Sequence, residues 1–179
     1  IETIKSNNRT IDEMNKMISN ILEIGRQEGA QFEKPIEIDL IHFLKEQSNN
    51  YTILAKMEEK HIEEDISPKN YKITIQPTLL VHILQNFVQN AIKFTPKEGK
   101  IRIQSYADKE GFHVLVIDEG IGIDESKDLF APFKRYGNQT GAGLGLFLAK
   151  SAADALGATI TIKNRTDRQG TVASLLIPL

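Results

Sequence analysis

The sequence has 179 residues, of which 26% are charged, and a formal net charge of −2. This length suits one domain with a sizeable core plus an appendage, and the charge gives no indication of a nucleic-acid-binding surface. Cysteine is absent from the sequence, which excludes disulfides and thiolate metal sites. No signal peptide and no apolar run of about 18 residues are present. Because the chain starts at Ile1 without a methionine, we expect a fragment of a longer protein.

Residues 1–28 have the pattern of one long helix. Its apolar residues recur with heptad spacing at Ile4, Ile11, Met14, Ile18 and Ile21. This a/d seam predicts a partner helix, and packing on its own domain is the alternative. Residues 29–35 then form a linker rich in helix breakers, so we expect the main domain over residues 36–179.

The main domain is predicted to contain three helices and about seven strands. In chain order, the strand-like stretches are IEIDL, HIEEDI, YKITIQ, KIRIQSY, FHVLVID, TITIK and TVASLLIPL. HIEEDI and YKITIQ lie around the turn SPKN. Asp39 is placed to cap a helix that ends near Met57, a second helix runs over about 78–94, and a third covers about 142–156. This mixture predicts an α+β two-layer sandwich, with a mixed, largely antiparallel sheet and three helices on one face.

The second of these helices, TLLVHILQNFVQNAIKF, carries a line of polar residues. At 100° per residue, Asn86, Asn90 and Lys93 fall within about 60° of one another, opposite the apolar positions. Asparagine offers a carbonyl oxygen suited to Mg²⁺, and lysine offers a point charge for a phosphate. The alternative is a solvated polar face.

The stretch DEGIGID follows the alternating strand FHVLVI. Gly120 and Gly122 permit positive φ and let a flat ligand approach the backbone. Asp118, at the end of the strand, would point into that space and could accept a hydrogen bond from an amino group. A tight turn that needs glycines is the alternative.

The stretch GAGLGLFLAK places three glycines directly before a helix, where free N–H groups and the helix dipole favour a phosphate. Its spacing matches neither the P-loop nor the dinucleotide fingerprint. The preceding stretch LFAPFKRYGNQT has two phenylalanines and a basic pair, and six of the twelve glycines lie between 120 and 145. This composition predicts a mobile lid.

Five motifs together resemble a known family. In chain order, NFVQNAIKFT, DEGIGI, LFAPFKR, GAGLGL and GTVASLLIP resemble the Asn box, first glycine box, Phe box, second glycine box and third glycine motif of sensor histidine kinases. The resemblance covers roughly residues 36–179. It is to the catalytic, ATP-binding domain of the Bergerat-fold superfamily, which also includes gyrase B, MutL and heat-shock chaperones. The implied ligands are ATP and Mg²⁺.

The resemblance implies a catalytic set at the phosphate end of the ligand. Asn90 corresponds to the residue that ligates Mg²⁺, and Asn86 to the polar residue one turn earlier, beside the metal and the γ-phosphate. Lys93 and Arg135 correspond to residues that contact the phosphates.

The resemblance also implies how the base is held. Asp118 corresponds to the residue that binds the adenine amino group, and Thr171 lies beneath the ring. Further nucleotide contacts are implied for the two glycine boxes and the lid between them: Gly120, Gly122, Ile123, Lys134, Gly141, Gly143, Leu144, Gly145 and Leu146.

The N-terminal helix resembles the second helix of the family's dimerisation and phosphoacceptor hairpin. The four histidines of this sequence are His42, His61, His82 and His113, and none is followed by Glu. We therefore expect the phosphoacceptor histidine on a helix outside this sequence.

The expected function is transfer of the ATP γ-phosphate to that histidine, with onward transfer to a response regulator Asp. The implied partners are the phosphoacceptor helix of the same protein or its dimer mate, the response regulator, and a second copy of the parent protein, with no nucleic acid. The domain is expected to be cytoplasmic, in a parent protein anchored in the cell membrane. The alternatives are a nucleotide-gated interaction module without transfer and an anti-sigma-type serine kinase.

Overall fold

The structure, a computed structural model, describes residues 33–132 and 144–179. Within these ranges the strands are β1 (Ile36–Asp39), β2 (His61–Ile66), β3 (Lys72–Ile75), β4 (Lys100–Ala107), β5 (Gly111–Asp118), β6 (Thr159–Asn164) and β7 (Thr171–Pro178). The helices are α1 (Leu40–Met57), α2 (Pro77–Phe94) and α3 (Gly145–Ala155). The predicted helix over residues 1–28 and the predicted lid at 133–143 lie outside the described residues.

Five of the strands form one mixed sheet, in the order β2-β4-β5-β7-β6. Its strand pairs are antiparallel except β2 and β4, which are parallel. This arrangement confirms the predicted α+β fold with a largely antiparallel sheet. The remaining strands, β1 and β3, pair with each other in a separate two-stranded sheet.

The strands on either side of the turn SPKN are present but do not pair with each other. The first, β2, lies beside β4, whereas β3 lies beside β1. Alternation of apolar and polar residues indicates that a stretch is a strand, but it does not determine the strand's partner. The sequence prediction therefore missed the second sheet.

The helices begin where local chemistry favours it. The Asp39 side chain caps α1, because its Oδ1 accepts hydrogen bonds from the backbone N–H groups of Ile41 at 3.0 Å and His42 at 3.4 Å. A proline occupies the first position of α2, where its missing N–H costs nothing. The third helix begins at Gly145, three residues later than the sequence prediction.

The core lies between the helices and one face of the five-stranded sheet. In β5, Phe112, Val114 and Val116 are buried, and the residues between them are only partly covered. The apolar face of α2, centred on Phe87, is buried in the same core. Because side chains alternate along a strand, Asp118 continues the buried row of β5 and points toward the helices.

No helix among the described residues is long and apolar enough to cross a lipid bilayer.

Candidate functional site

Asp118 is a carboxylate at the end of a buried apolar row, with only 6% of its surface exposed. Its Oδ1 accepts two backbone hydrogen bonds, from Gly120 N at 2.7 Å and from Thr171 N at 3.1 Å. The first of these N–H groups lies in the following loop and the second at the start of β7. The carboxylate therefore ties the loop to the neighbouring strand.

Burial raises the pKa of the Asp118 carboxyl above its usual range. The backbone N–H groups of Gly120 and Thr171, the Thr171 hydroxyl and the nearby Arg165 charge oppose this shift, but desolvation outweighs them. A buried carboxylate whose charge is not fully compensated is stabilised by any further hydrogen-bond donor. The site therefore favours a ligand that brings an N–H group to Asp118.

The glycine loop, residues 119–125, follows β5, and its glycines lie against protein atoms. A Cβ on Gly120 would lie 2.8 Å from Asp118 Oδ1 and 3.0 Å from the backbone oxygen of Phe94. Gly122 has a φ of +83°, and a Cβ there would lie 2.7 Å from the side-chain oxygen of Asn164. Both glycines therefore allow the loop to pack closely on α2 and on the end of β6.

Helix α2 contacts both glycine segments. Near its C-terminus, the Phe94 carbonyl lies against Gly120, and two turns earlier the Asn86 side chain lies against Gly145 at the start of α3. The Asn86 Nδ2 donates to His82 O at 2.8 Å, and its Oδ1 lies on the side of Gly145. At 1.5 Å per residue, the two contacts are about 12 Å apart along the helix. A ligand that reaches both is therefore elongated.

The other predicted residues of α2 lie between these contacts. Asn90 is half-buried and is one helical turn from each contact. Lys93 is exposed, and its Nζ lies 4.9 Å from the centre of the Phe94 ring. The polar line predicted from the sequence thus lies on the stretch of α2 that separates the two glycine contacts.

The remaining predicted site residues divide into two groups. Thr171, beside Asp118, and Ile123, in the glycine loop, are both half-buried. At the N-terminus of α3 lie Leu144, Gly145 and Leu146. Four of the predicted nucleotide contacts lie outside the described residues: Lys134, Arg135, Gly141 and Gly143. The structure thus places the described members of the predicted site around α2, and the role of each residue, like the lid, stays a prediction.

Sequence reasoning missed the contacts that the turn between β6 and β7 makes; with the strand ends included, this turn spans residues 164–171. Arg165 Nη1 donates to the backbone oxygen of Asp118 at 3.3 Å. Gly170 has a φ of +137°, and a Cβ there would overlap that same oxygen. The sequence TDRQG signals a turn in this region, but gives no sign that the turn packs on Asp118.

A sandwich with an aspartate at a strand end, glycine segments and an asparagine-bearing helix defines an ATP-binding domain of the Bergerat type. The chain belongs to the family described as histidine kinase-, DNA gyrase B-, and HSP90-like ATPase, whose model matches residues 75–179. The match includes α2, the glycine loop and β7.

The relatives narrow this to the sensor histidine kinases. The sensor protein CreC of Escherichia coli (strain K12) is 28% identical over 167 residues, which cover 90% of this chain and 35% of CreC. The catalytic domain of the histidine kinase ThkA, in a nucleotide-free form, superposes with a TM-score of 0.72 at 27% identity and covers 82% of this chain and 96% of its own. The described domain is thus a catalytic, ATP-binding domain of the sensor histidine kinase type, as the motifs predicted.

A third comparison is with a full-length protein. Full-length ShkA in complex with AMPPNP has a TM-score of 0.79 at 24% identity, covering 93% of this chain and 36% of ShkA. The chain spans about a third of the length of CreC and a quarter of that of the drug sensory protein A of Synechocystis. The activity and partners of the whole protein are therefore matters for proposal.

Proposed function

We propose that this domain binds ATP with Mg²⁺ beside α2 and transfers the γ-phosphate to a histidine on a helix outside this sequence. A response regulator aspartate then receives the phosphoryl group. The observation that carries the proposal is a buried, incompletely compensated carboxylate, Asp118, beside one end of α2, and an asparagine, Asn86, two turns earlier on the same helix. An elongated ligand with an amino group at one end and phosphates at the other would lie along this stretch of α2, which we call the cleft.

The base end of the cleft is formed by Asp118 and Thr171. Because Asp118 already receives two backbone N–H groups on Oδ1, its position is fixed before any ligand binds. The exocyclic amino group of adenine would supply the further donor that the buried carboxylate favours. A base with a carbonyl oxygen at that position would instead place two acceptors together.

The metal end of the cleft fits Mg²⁺ held mainly by phosphates. Among residues 33–132 and 144–179, no three His, Cys, Asp or Glu side chains form a metal-binding group, so an all-carboxylate cage does not exist there. The amide oxygens of Asn90 and Asn86 are hard donors, and Mg²⁺ commonly takes one or two protein ligands together with phosphate oxygens. When bound, the ion would neutralise phosphate charge.

The chain's own contribution to transfer is positioning and charge. Phosphoryl transfer requires alignment and electrostatic stabilisation more than covalent participation of the protein. Lys93, exposed near the end of α2, and Arg135 are the proposed cationic groups that contact the phosphates. Asn90 and Asn86 hold the metal side of the ligand in line with the acceptor.

The adenine assignment is tested by Asp118→Asn. Asparagine has the same shape and its Oδ1 can still accept from Gly120 and Thr171, so the fold is retained. Replacing an acceptor by a donor should weaken ATP binding by about 2–3 kcal/mol, or roughly 30- to 150-fold in Kd. Asp124→Asn is the matched control, because Asp124 lies exposed in the same loop and its side chain bonds to Ser126 and Lys127. Unchanged ATP affinity in Asp118→Asn would refute the assignment.

The transfer step is tested by mixing the protein with the separately produced phosphoacceptor hairpin of its parent protein and labelled ATP. Acid-labile, base-stable label on the hairpin supports a histidine kinase. Binding of ATP without transfer favours a nucleotide-gated interaction module, and acid-stable label favours a serine kinase. Label on His42, His61, His82 or His113 of this chain would contradict the proposal that the acceptor lies elsewhere.

The proposed partners follow from the same reasoning. The heptad spacing over residues 1–28 predicts an apolar seam complementary to a second helix of the same kind, and this supports a helical hairpin that dimerises in the parent protein. The response regulator would meet that hairpin once its histidine carries the phosphoryl group.

A further inference from the structure

The turn between β6 and β7 holds the glycine loop at several separate points. Asn164, the last residue of β6, contacts the loop at Ile123, which is 41 positions earlier in the sequence. Its Oδ1 accepts from Ile123 N at 2.7 Å, and its Nδ2 donates to Ile123 O at 2.9 Å. One side chain thus satisfies both backbone groups of Ile123, as a neighbouring strand would.

Two neighbouring features support the contact between Asn164 and Ile123. Gly122 has no Cβ, and the space that a Cβ would fill is taken by Asn164 Oδ1. The backbone N–H of Asn164 donates to Glu125 Oε1 at 2.6 Å, so the loop also returns a contact to Asn164. Asn164 is therefore held to the loop through its backbone as well as through its side chain.

The rest of the turn supports the earlier part of the loop. Arg165 Nη1 donates to Asp118 O at 3.3 Å, and Gln169 Nε2 donates to Ile121 O at 3.3 Å. Asn164 is the one among these three residues that binds both a backbone donor and a backbone acceptor. It also makes the shortest contacts, so it contributes most to the course of the loop.

We propose that Asn164 is a positioning residue of the nucleotide site: its amide fixes the backbone of Ile123 and so holds the glycine loop against α2, with Asp118 facing the adenine. This inference rests on the proposed function, because it assigns a role toward the nucleotide that the domain binds. Asn164 itself lies at the exposed end of β6 and acts on the ligand through the loop.

The test compares Asn164→Ala with Lys163→Ala in the full chain. Lys163 is the preceding residue of β6, is also exposed, and points to the opposite face of the sheet. Amide hydrogen exchange at Ile123 is measured without nucleotide, ATP Kd by titration, and global stability by urea denaturation. In Asn164→Ala we expect faster exchange at Ile123 and a Kd raised roughly three- to tenfold, since two hydrogen bonds that fix the loop are lost.

A positioning role also predicts the behaviour of a further variant and of the transfer rate. Asn164→Asp keeps the acceptor for Ile123 N but places a carboxylate oxygen against Ile123 O in place of the donor, so its Kd should be raised at least as much as that of Asn164→Ala. With ATP saturating, the transfer rate to the phosphoacceptor hairpin should stay unchanged, because the loop positions the base and not the phosphate.

Three results would overturn the inference. Faster exchange at Ile123 with an unchanged Kd would leave Asn164 a purely structural residue. An equal rise in Kd for Lys163→Ala would mean that any change in β6 has the same effect. If the wild type bound no ATP, the proposed function and this inference would fail together, whereas the exchange rates would still report whether the Asn164–Ile123 contact exists.

Discussion

Replacing Gly170 by alanine should damage the base end of the site through a collision, and Gly157→Ala provides the control. Both glycines have positive φ, +137° and +67° respectively, so both substitutions introduce backbone strain. A Cβ at Gly157 meets nothing within 4 Å. A Cβ at Gly170 overlaps the backbone oxygen of Asp118 and lies 2.8 Å from Arg165 Cδ. Both variants therefore introduce backbone strain, but only Gly170→Ala also introduces a steric collision, with Asp118 and Arg165.

The expected magnitudes follow from these distances. Strain alone costs about 1–2 kcal/mol for a non-glycine residue in the left-handed region, and this is the whole effect expected for Gly157→Ala. Ordinary contacts between carbon atoms are about 3.5–4.0 Å, so the chain around Gly170 must also move. Overpacking of this kind adds about 1–3 kcal/mol, which brings Gly170→Ala to about 2–5 kcal/mol.

Urea denaturation gives the loss of stability, and titration with ATP gives the affinity. Gly170→Ala should weaken ATP binding by about tenfold or more, since displacement of Asp118 would weaken or break its proposed hydrogen bond to the base. Gly157→Ala should bind ATP normally. Equal destabilisation of the two variants, or wild-type ATP affinity in Gly170→Ala, would show that the turn does not press on Asp118.

Three other substitutions test the site and the core. Because burial raises the pKa of Asp118, its carboxyl favours folding when protonated and loses that contribution as pH rises above its ordinary value near 3.8. Asp118→Asn should therefore gain stability relative to wild type as the pH rises above about 4, and a difference in urea denaturation that stays constant with pH would argue against the buried charge. Asn90→Ala should bind ATP equally with Mg²⁺ and with EDTA, whereas the wild type should bind more tightly with Mg²⁺. Phe87→Ala, at a site only 1% exposed, should lose about 3–5 kcal/mol of unfolding free energy, and a loss below about 1 kcal/mol would mean that the core adapts.

The elements that sequence patterns identify correctly are those whose signal is local. Asp39 sits two residues before the N–H group that it caps, and the alternation of β5 is visible within eight residues. The polar line of α2 needs only the helical repeat, so the spacing of Asn86 and Asn90 is enough to place them on one face.

The features that the sequence does not show depend on distant contacts. Strand β3 pairs with β1 across the whole of α1 and β2, and no pattern within β3 records that choice. In the sequence, Asn164 looks like an ordinary last residue of a strand before a turn. Its partner Ile123 is 41 residues away, so no local pattern shows the contact. The structure also gives a different physical reason for a glycine at position 122. The sequence predicts that Gly122 clears space for a ligand, but its missing Cβ leaves room for Asn164.

Helix α2 touches one glycine segment at Asn86 and the other at Phe94, and this has a consequence for ligand choice. A helix is a stiff rod whose length depends only on its number of residues, so the two ends of the cleft are held at a separation that no loop can change. In the proposed binding mode, a ligand that has lost its last phosphate would still reach Asp118 but would fall short of Asn86. The number of residues between the two contacts would then set the preference for a nucleoside triphosphate over its diphosphate product.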